Sequence, residues 1–192
     1  MKEERGKMRV VAFDMGQVNF AFCSGICAKE DINNIINIDN VTIDCMQLNN
    51  FMKEKVLSPI RLYEKVFEYL DRFDELWKKT DVILIEQQYV QRHATNIKAL
   101  KLSQHVLAYF LLKYQFSTQG KKKIVEYAAS NKTQFFQKKF TKKIDRKQWA
   151  IQKVHEQLTQ TDPVALDWFQ TFPKKDDVAD CILMIWTFLG TF

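Results

Sequence analysis

Two carboxylates stand at the ends of short apolar runs, and a second pair stands three residues apart near the C-terminus. Asp14 closes Arg9-Val10-Val11-Ala12-Phe13, and Glu86 closes Val82-Ile83-Leu84-Ile85. Such runs, bounded by polar residues, read as strands buried on both faces. A charge at the tip of a buried strand is costly to desolvate without a partner, and the carboxyl ends of an open α/β sheet are where ligands sit. Glu86 therefore asks for a cation, either Arg92 or a bound metal. Asp177 and Asp180 project from one side of a helix, as would Asp176 and Asp180. Acids in a first helical turn complement the dipole and cap free N–H groups, which accounts for Asp176 or Asp177 but poorly for Asp180, a turn inside. Taken together, the four carboxylates are the hard oxygen ligands that Mg²⁺ or Mn²⁺ needs. Two such ions about 3.5–4 Å apart can activate a water and stabilise the leaving oxygen of a phosphodiester.

Positioning these groups is work for a mixed α/β sheet. Met15-Gly16-Gln17-Val18-Asn19 reads as a turn leading from the first strand into a second, Phe20 to Cys27, and a third follows at Val41 to Leu48. From Pro59 to Lys79 apolar residues recur every three or four positions, with Ser58 as cap and Pro59 at the first turn, which predicts one amphipathic helix. The Glu86 strand comes next, then a helix from about Thr95 to Tyr114 and a fifth strand, Ile124 to Ala128. Helices are expected at about Lys132–Phe140, Asp145–Leu158 and Asp176–Leu189, the last apolar nearly all round and so packed against the sheet. Three antiparallel strands followed by parallel strands with helical crossovers result.

At 192 residues and 46% hydrophobic content, one compact domain from residue 9 to 192 is expected, after a flexible leader at 1–8. Five glycines and three prolines argue against repeats and long linkers, and leave no phosphate-cradling loops for a sugar or acetate kinase. Cys23, Cys27, Cys45 and Cys181 form no close pair and read as reduced core thiols, which suits an intracellular protein. The N-terminus shows no secretory signal, and Cys181 to Leu189 is too short to span a bilayer. Between Lys113 and Lys153 twelve Lys and Arg face two acids, so this stretch is +10 and the rest of the chain −4. Phe135, Phe136, Phe140 and Trp149 interleave those lysines, a pattern that suits a nucleic-acid partner better than a merely solvated face. A metal-dependent nuclease follows.

Phe13-Asp14-Met15-Gly16 with Asn19, Ile85-Glu86-Gln87 with Tyr89, and Asp177-Val178-Ala179-Asp180 resemble the motifs of RuvC-type Holliday junction resolvases, of the RNase H-like superfamily. Leu100-Lys101-Leu102-Ser103-Gln104 resembles the family's helix after the glutamate, and Tyr127 to Lys132 and Asp145-Arg146-Lys147 resemble its lysine-bearing stretches. The compact, Lys-, Asn- and Ile-rich form is similar to resolvases of poxviruses and other large cytoplasmic DNA viruses. The resemblance implies an RNase H-like five-stranded fold, and Asp14, Glu86, Asp177 and Asp180 as catalytic ligands of two Mg²⁺ or Mn²⁺ ions, with Asp177 preferred over Asp176. It implies Lys147 near the scissile phosphate and Tyr89 as an aromatic stacking at the junction centre. Arg92, Lys132, Lys142, Lys143 and Arg146 complete the expected DNA-binding set. Also implied are a homodimer acting on four-way and branched DNA, 5′-phosphate and 3′-hydroxyl products, a role in DNA recombination, repair or the resolution of viral genome concatemers, and a cytoplasmic site of action. The helix from Thr95 to Tyr114 is the expected dimer interface. Met15 departs from the proline that bacterial members often carry, and Gln91-Arg92-His93 departs in the loop. The same carboxylates are compatible with cleavage of RNA–DNA hybrids, and an inactive junction-binding architectural protein is the other alternative.

Overall fold

The computed structural model describes residues 6–28, 38–52, 58–88, 96–116 and 122–191. Five strands form one sheet in the order β3-β2-β1-β4-β5: β1 (Lys7–Asp14), β2 (Phe20–Ala28), β3 (Thr42–Asn49), β4 (Val82–Glu86) and β5 (Lys123–Tyr127). The first three pair antiparallel, while β1–β4 and β4–β5 pair parallel, as the sequence leads one to expect. β1 begins at Lys7, so residues 7 and 8, read from sequence as the end of a leader, pair with Ala28 and Cys27 in the sheet.

Side chains alternate across the pleat and divide the core in two. Val11, Phe13, Phe20, Phe22, Ile83 and Ile85 face α1 (Pro59–Asp71), α2 (Asp74–Lys79) and α3 (Ile97–Phe110) in an aromatic layer with Trp77 and Phe110. Val10, Ala12, Ala21, Cys23, Val82 and Leu84 face α5 (Lys143–Thr161), α6 (Pro163–Thr171) and α7 (Lys175–Leu189). α7 is buried from Val178 to Leu189 except at Asp180, the all-round apolar helix expected.

Three local features differ from the expected elements. The helix predicted over 59–79 breaks at Arg72–Phe73 because the Leu70 carbonyl accepts from the Phe73 N–H (3.0 Å) and the Trp77 indole (2.7 Å). A continuous helix would have spent that carbonyl on residue 74. α4 runs Ala129–Phe135, stopping short of Phe140. Gln137 there takes a left-handed φ of 52°, and the bonds Lys138 N–H to Thr133 O (2.8 Å) and Gln137 N–H to Gln134 O (2.9 Å) make a Schellman turn. α6 was not expected, although Asp162 caps it through the Ala165 N–H (3.0 Å) and Pro163 opens it.

Candidate active site

Strand register places the first two carboxylates side by side. Phe13 is level with Ile85 on parallel neighbours, so Asp14 and Glu86 are the next residues on each strand. Both follow the Val10–Ala12 and Val82–Leu84 positions and so turn to the face covered by α7. The turn after β1 is tight: a Cβ on Gly16 would lie 2.6 Å from the backbone oxygen of Asn19, so only glycine fits there. The N-terminal part of α7 supplies Asp177 and Asp180. The four carboxylates line one cleft of about 530 Å³, together with the 15–19 turn, Asn96, and Lys143, Arg146 and Lys147 from the start of α5.

The charges in this cleft are strongly coupled. The Lys132 ammonium on α4 donates to Glu86 Oε1 (3.0 Å) and Asp180 Oδ1 (2.8 Å). Lys132 is 3% exposed, so this lysine, expected on the DNA-binding surface, is instead the internal counter-ion of the carboxylates. It is the cation that Glu86 required; Arg92, the candidate named from sequence, lies outside the described residues, as does Tyr89. Burial, then the charges of Glu86 and Asp180, pushes Asp14 well above its ordinary value. Burial acts on Glu86 in the same sense, but the Lys132 charge and hydrogen bond outweigh it and leave Glu86 lowered. Lys132 is itself held above its usual range, because Asp180, Glu86 and Asp14 overcome its desolvation.

On α7 the structure separates two neighbouring aspartates. Asp176 turns out of the cleft and pairs with Lys147 and Lys174, which lower it against the effect of burial. Asp177 lines the cleft. Burial first, and Asp176 beside it, raises Asp177 to about 6, and its Oδ2 is buried with no hydrogen-bond partner. Lys147 lies on the cleft wall with Asp176 as its anchor; burial opposes its charge, and the Asp176 hydrogen bond and charge raise it. Lys142 is exposed outside the cleft.

As the side chains stand, no group of three or more His, Cys, Asp and Glu among the described residues is set to hold a metal ion. The donor set nonetheless fits a hard divalent cation. Four carboxylates line the cleft, a buried ammonium bridges two of them, and one Asp177 oxygen has no hydrogen-bond partner among the described residues. Clustered carboxylate oxygens are the hard donors such ions require.

The fold is that of the RuvC-like, RNase H-like resolvases. A fowlpox virus resolvase, solved with its substrate Holliday junction DNA, superposes with a TM-score of 0.63 at 14% identity over 96% of this chain and 98% of that one. The yeast mitochondrial Holliday junction resolvase Ydc2 superposes with a TM-score of 0.64 at 18% identity, over 96% and 80%. The chain belongs to the same family as uncharacterized protein 97L of Invertebrate iridescent virus 3, with 32% identity over 210 residues covering 92% of this chain and 97% of that protein. No protein-family model matches it.

Proposed function

We propose that this protein is a structure-selective endonuclease that resolves four-way and branched DNA junctions by metal-dependent hydrolysis of phosphodiesters, acting on recombining or replicated viral genomes. One observation carries the reading: Asp14, Glu86, Asp177 and Asp180, drawn from three separate elements, line a single cleft that Lys143, Arg146 and Lys147 also line. That sets carboxylates and basic side chains in one cleft, the electrostatics needed to take a polyanion onto divalent cations. The fowlpox resolvase and Ydc2, which share the fold, support junction DNA as the substrate.

Asp14, Glu86, Asp177 and Asp180 would hold Mg²⁺ or Mn²⁺. The ion's contribution is to lower the pKa of a water and to offset charge on the phosphate. The chain's own residues do the rest. Lys147, anchored by Asp176, stands over the cleft as a fixed positive charge for the phosphate oxygens, where charge grows in the transition state. Arg146 and Lys143 hold the flanking backbone. Lys132 holds Glu86 and Asp180 together through its two hydrogen bonds and favours the ionised form of Glu86.

Two such sites related by a two-fold axis would nick opposing strands, which requires a homodimer. Ile97 on α3, and Leu112 and Phe116 in and beside the π-helical turn Leu111–Gln115 that follows it, are 59%, 68% and 79% exposed and offer apolar positions at the two ends of this element for pairing, with Lys101 and Gln104 exposed between them. Sedimentation should find a dimer. Among the described residues no helix is long and apolar enough to cross a membrane. The deciding experiment incubates the protein with a synthetic four-way junction and with a matched RNA–DNA hybrid, with and without Mg²⁺. Paired symmetric nicks with 5′-phosphate ends, in the junction and only with metal, are expected; preferential cutting of the hybrid, or no cutting, overturns the reading.

A further inference from the structure

Helix α5 leaves the cleft carrying more than its buried face needs. Its 19 residues span about 28 Å. Ala150, Val154, Gln157 and Leu158 are buried on one stripe. Arg146, Trp149, Lys153 and Glu156, at helical spacings of three and four, form a neighbouring stripe that begins in the cleft at Arg146 and runs away from it. Along this stripe lies a second depression of about 450 Å³, lined by Phe136, Lys138, Trp149, Gln152, Lys153 and Glu156. Its wall is aromatic: Phe136 packs edge-on against Trp149 at 5.6 Å, and Phe140 lies tilted against Trp149 at 5.4 Å. Lys153 lies 5.2 Å over the Phe136 ring, and Lys138, just past the Schellman turn that ends α4, is exposed.

The charge here is concentrated. Residues 138–156 carry seven Lys and Arg against two acids, Asp145 and Glu156, a local +5, with the Glu156 carboxylate on the depression accepting from the Gln152 amide. Cations ranged over an aromatic wall and continuous with a polyanion cleft match a nucleic-acid backbone, with phosphates on the ammonium groups and sugar edges on the rings.

Resting on the junction-resolving reading above, we propose that the DNA arm leaving the cleft runs along α5, and that Lys138 and Lys153 grip its phosphates in this second depression. From Arg146 to Lys153 the helix rises about 10 Å, about three base-pair steps of 3.4 Å. The gripped phosphates therefore lie two to five nucleotides, as an approximate range, from the one that is cut.

The test uses the full-length protein, the double variant Lys138→Ala/Lys153→Ala and the charge-reversed Lys138→Glu/Lys153→Glu. Each is checked for an unchanged circular dichroism spectrum and melting temperature. Junction affinity is measured over a salt series on an unmodified junction and on one with methylphosphonates at the third and fourth phosphates from the mapped nicks. Removing two phosphate contacts lowers the slope of log affinity against log salt by about 1.8. The methylphosphonate junction should cost the wild type as much as the alanine variant loses, the two losses should not add, and the charge-reversed variant should bind more weakly still. An unaltered slope in both variants, or additive losses, overturns the α5 track while leaving the nuclease reading intact. Failure of the wild type to bind or cut the unmodified junction overturns the reading on which it rests.

Discussion

Replacing Lys132 by methionine would keep the volume of the side chain and delete its charge from between Glu86 and Asp180, 3.0 and 2.8 Å away. Breaking a buried ion pair by removing one partner costs about 3–5 kcal/mol, because the remaining charge is left uncompensated. The carboxylates can limit that cost by taking up a proton. For an acid with an ordinary value near 4 this costs about 4 kcal/mol at pH 7 and about 1.4 kcal/mol at pH 5. In the variant the folded carboxylates have raised values, so their stability is complete at low pH and is lost as pH rises. In the wild type Glu86 is lowered, so the stability from its pairing is present at neutral pH and lost as pH falls through its folded value. The wild-type loss sets in only below the ordinary Glu value of 4.5, so between pH 7 and pH 5 the change comes from the variant alone: its deficit should be about 4 kcal/mol at pH 7 and shrink to about 1–2 kcal/mol at pH 5. Mg²⁺ at a hundred times its dissociation constant would return about 2.7 kcal/mol to the variant and less to the wild type, where the ion must compete with the ammonium. Urea denaturation at pH 5 and 7, with and without Mg²⁺, measures all four quantities. A deficit below about 1 kcal/mol at pH 7, or one that neither pH nor Mg²⁺ changes, would refute the assignment of Lys132 as the internal counter-ion.

Asp180→Asn should reduce junction cutting by about 10³-fold, the scale of losing one group that organises transition-state charge, while junction binding in a gel-shift assay stays within a few-fold. Asp177→Asn should also abolish cutting yet stabilise the metal-free protein by about 2 kcal/mol at pH 7, since it removes a buried carboxylate held near 6. Because a raised folded value penalises the ionised form, that gain should appear as pH rises from about 4 to about 6 and be absent below, which urea melts across this range would show. Gly16→Ala drives a Cβ to 2.6 Å from the Asn19 carbonyl oxygen, a backbone atom that cannot step aside. The loss of melting temperature should correspond to about 1–3 kcal/mol, with cutting impaired as the turn beside Asp14 shifts.

Much of the architecture is legible in residue order. Two aliphatic runs ending in Asp14 and Glu86, an amphipathic helix opened by Ser58-Pro59 and an apolar C-terminal helix suffice for the mixed sheet, because burial periodicity is written locally. The Asp162-Pro163 start of α6 is equally local, a cap and a first-turn proline in a stretch without strong periodicity. Other features were not local. The break between α1 and α2 depends on an indole reaching back to the Leu70 carbonyl, and the end of α4 on a glutamine adopting a conformation usually left to glycine.

The chemical character of the site, four carboxylates and a basic lobe, belongs to the sequence by itself, since residue types and their strand and helix spacing state which ligands are on offer. Their meeting belongs to the tertiary structure. Parallel register set Asp14 beside Glu86, and a helical rotation of about 100° per residue sent Asp176 to Lys147 and Asp177 into the cleft. Lys132, one lysine in a stretch crowded with them, became the buried partner of Glu86 and Asp180 because α4 packs on α7 and sets that side chain between α7 and the end of β4. Charge and type are properties of a residue, whereas desolvation and pairing are properties of its neighbours, and only the folded chain chooses those.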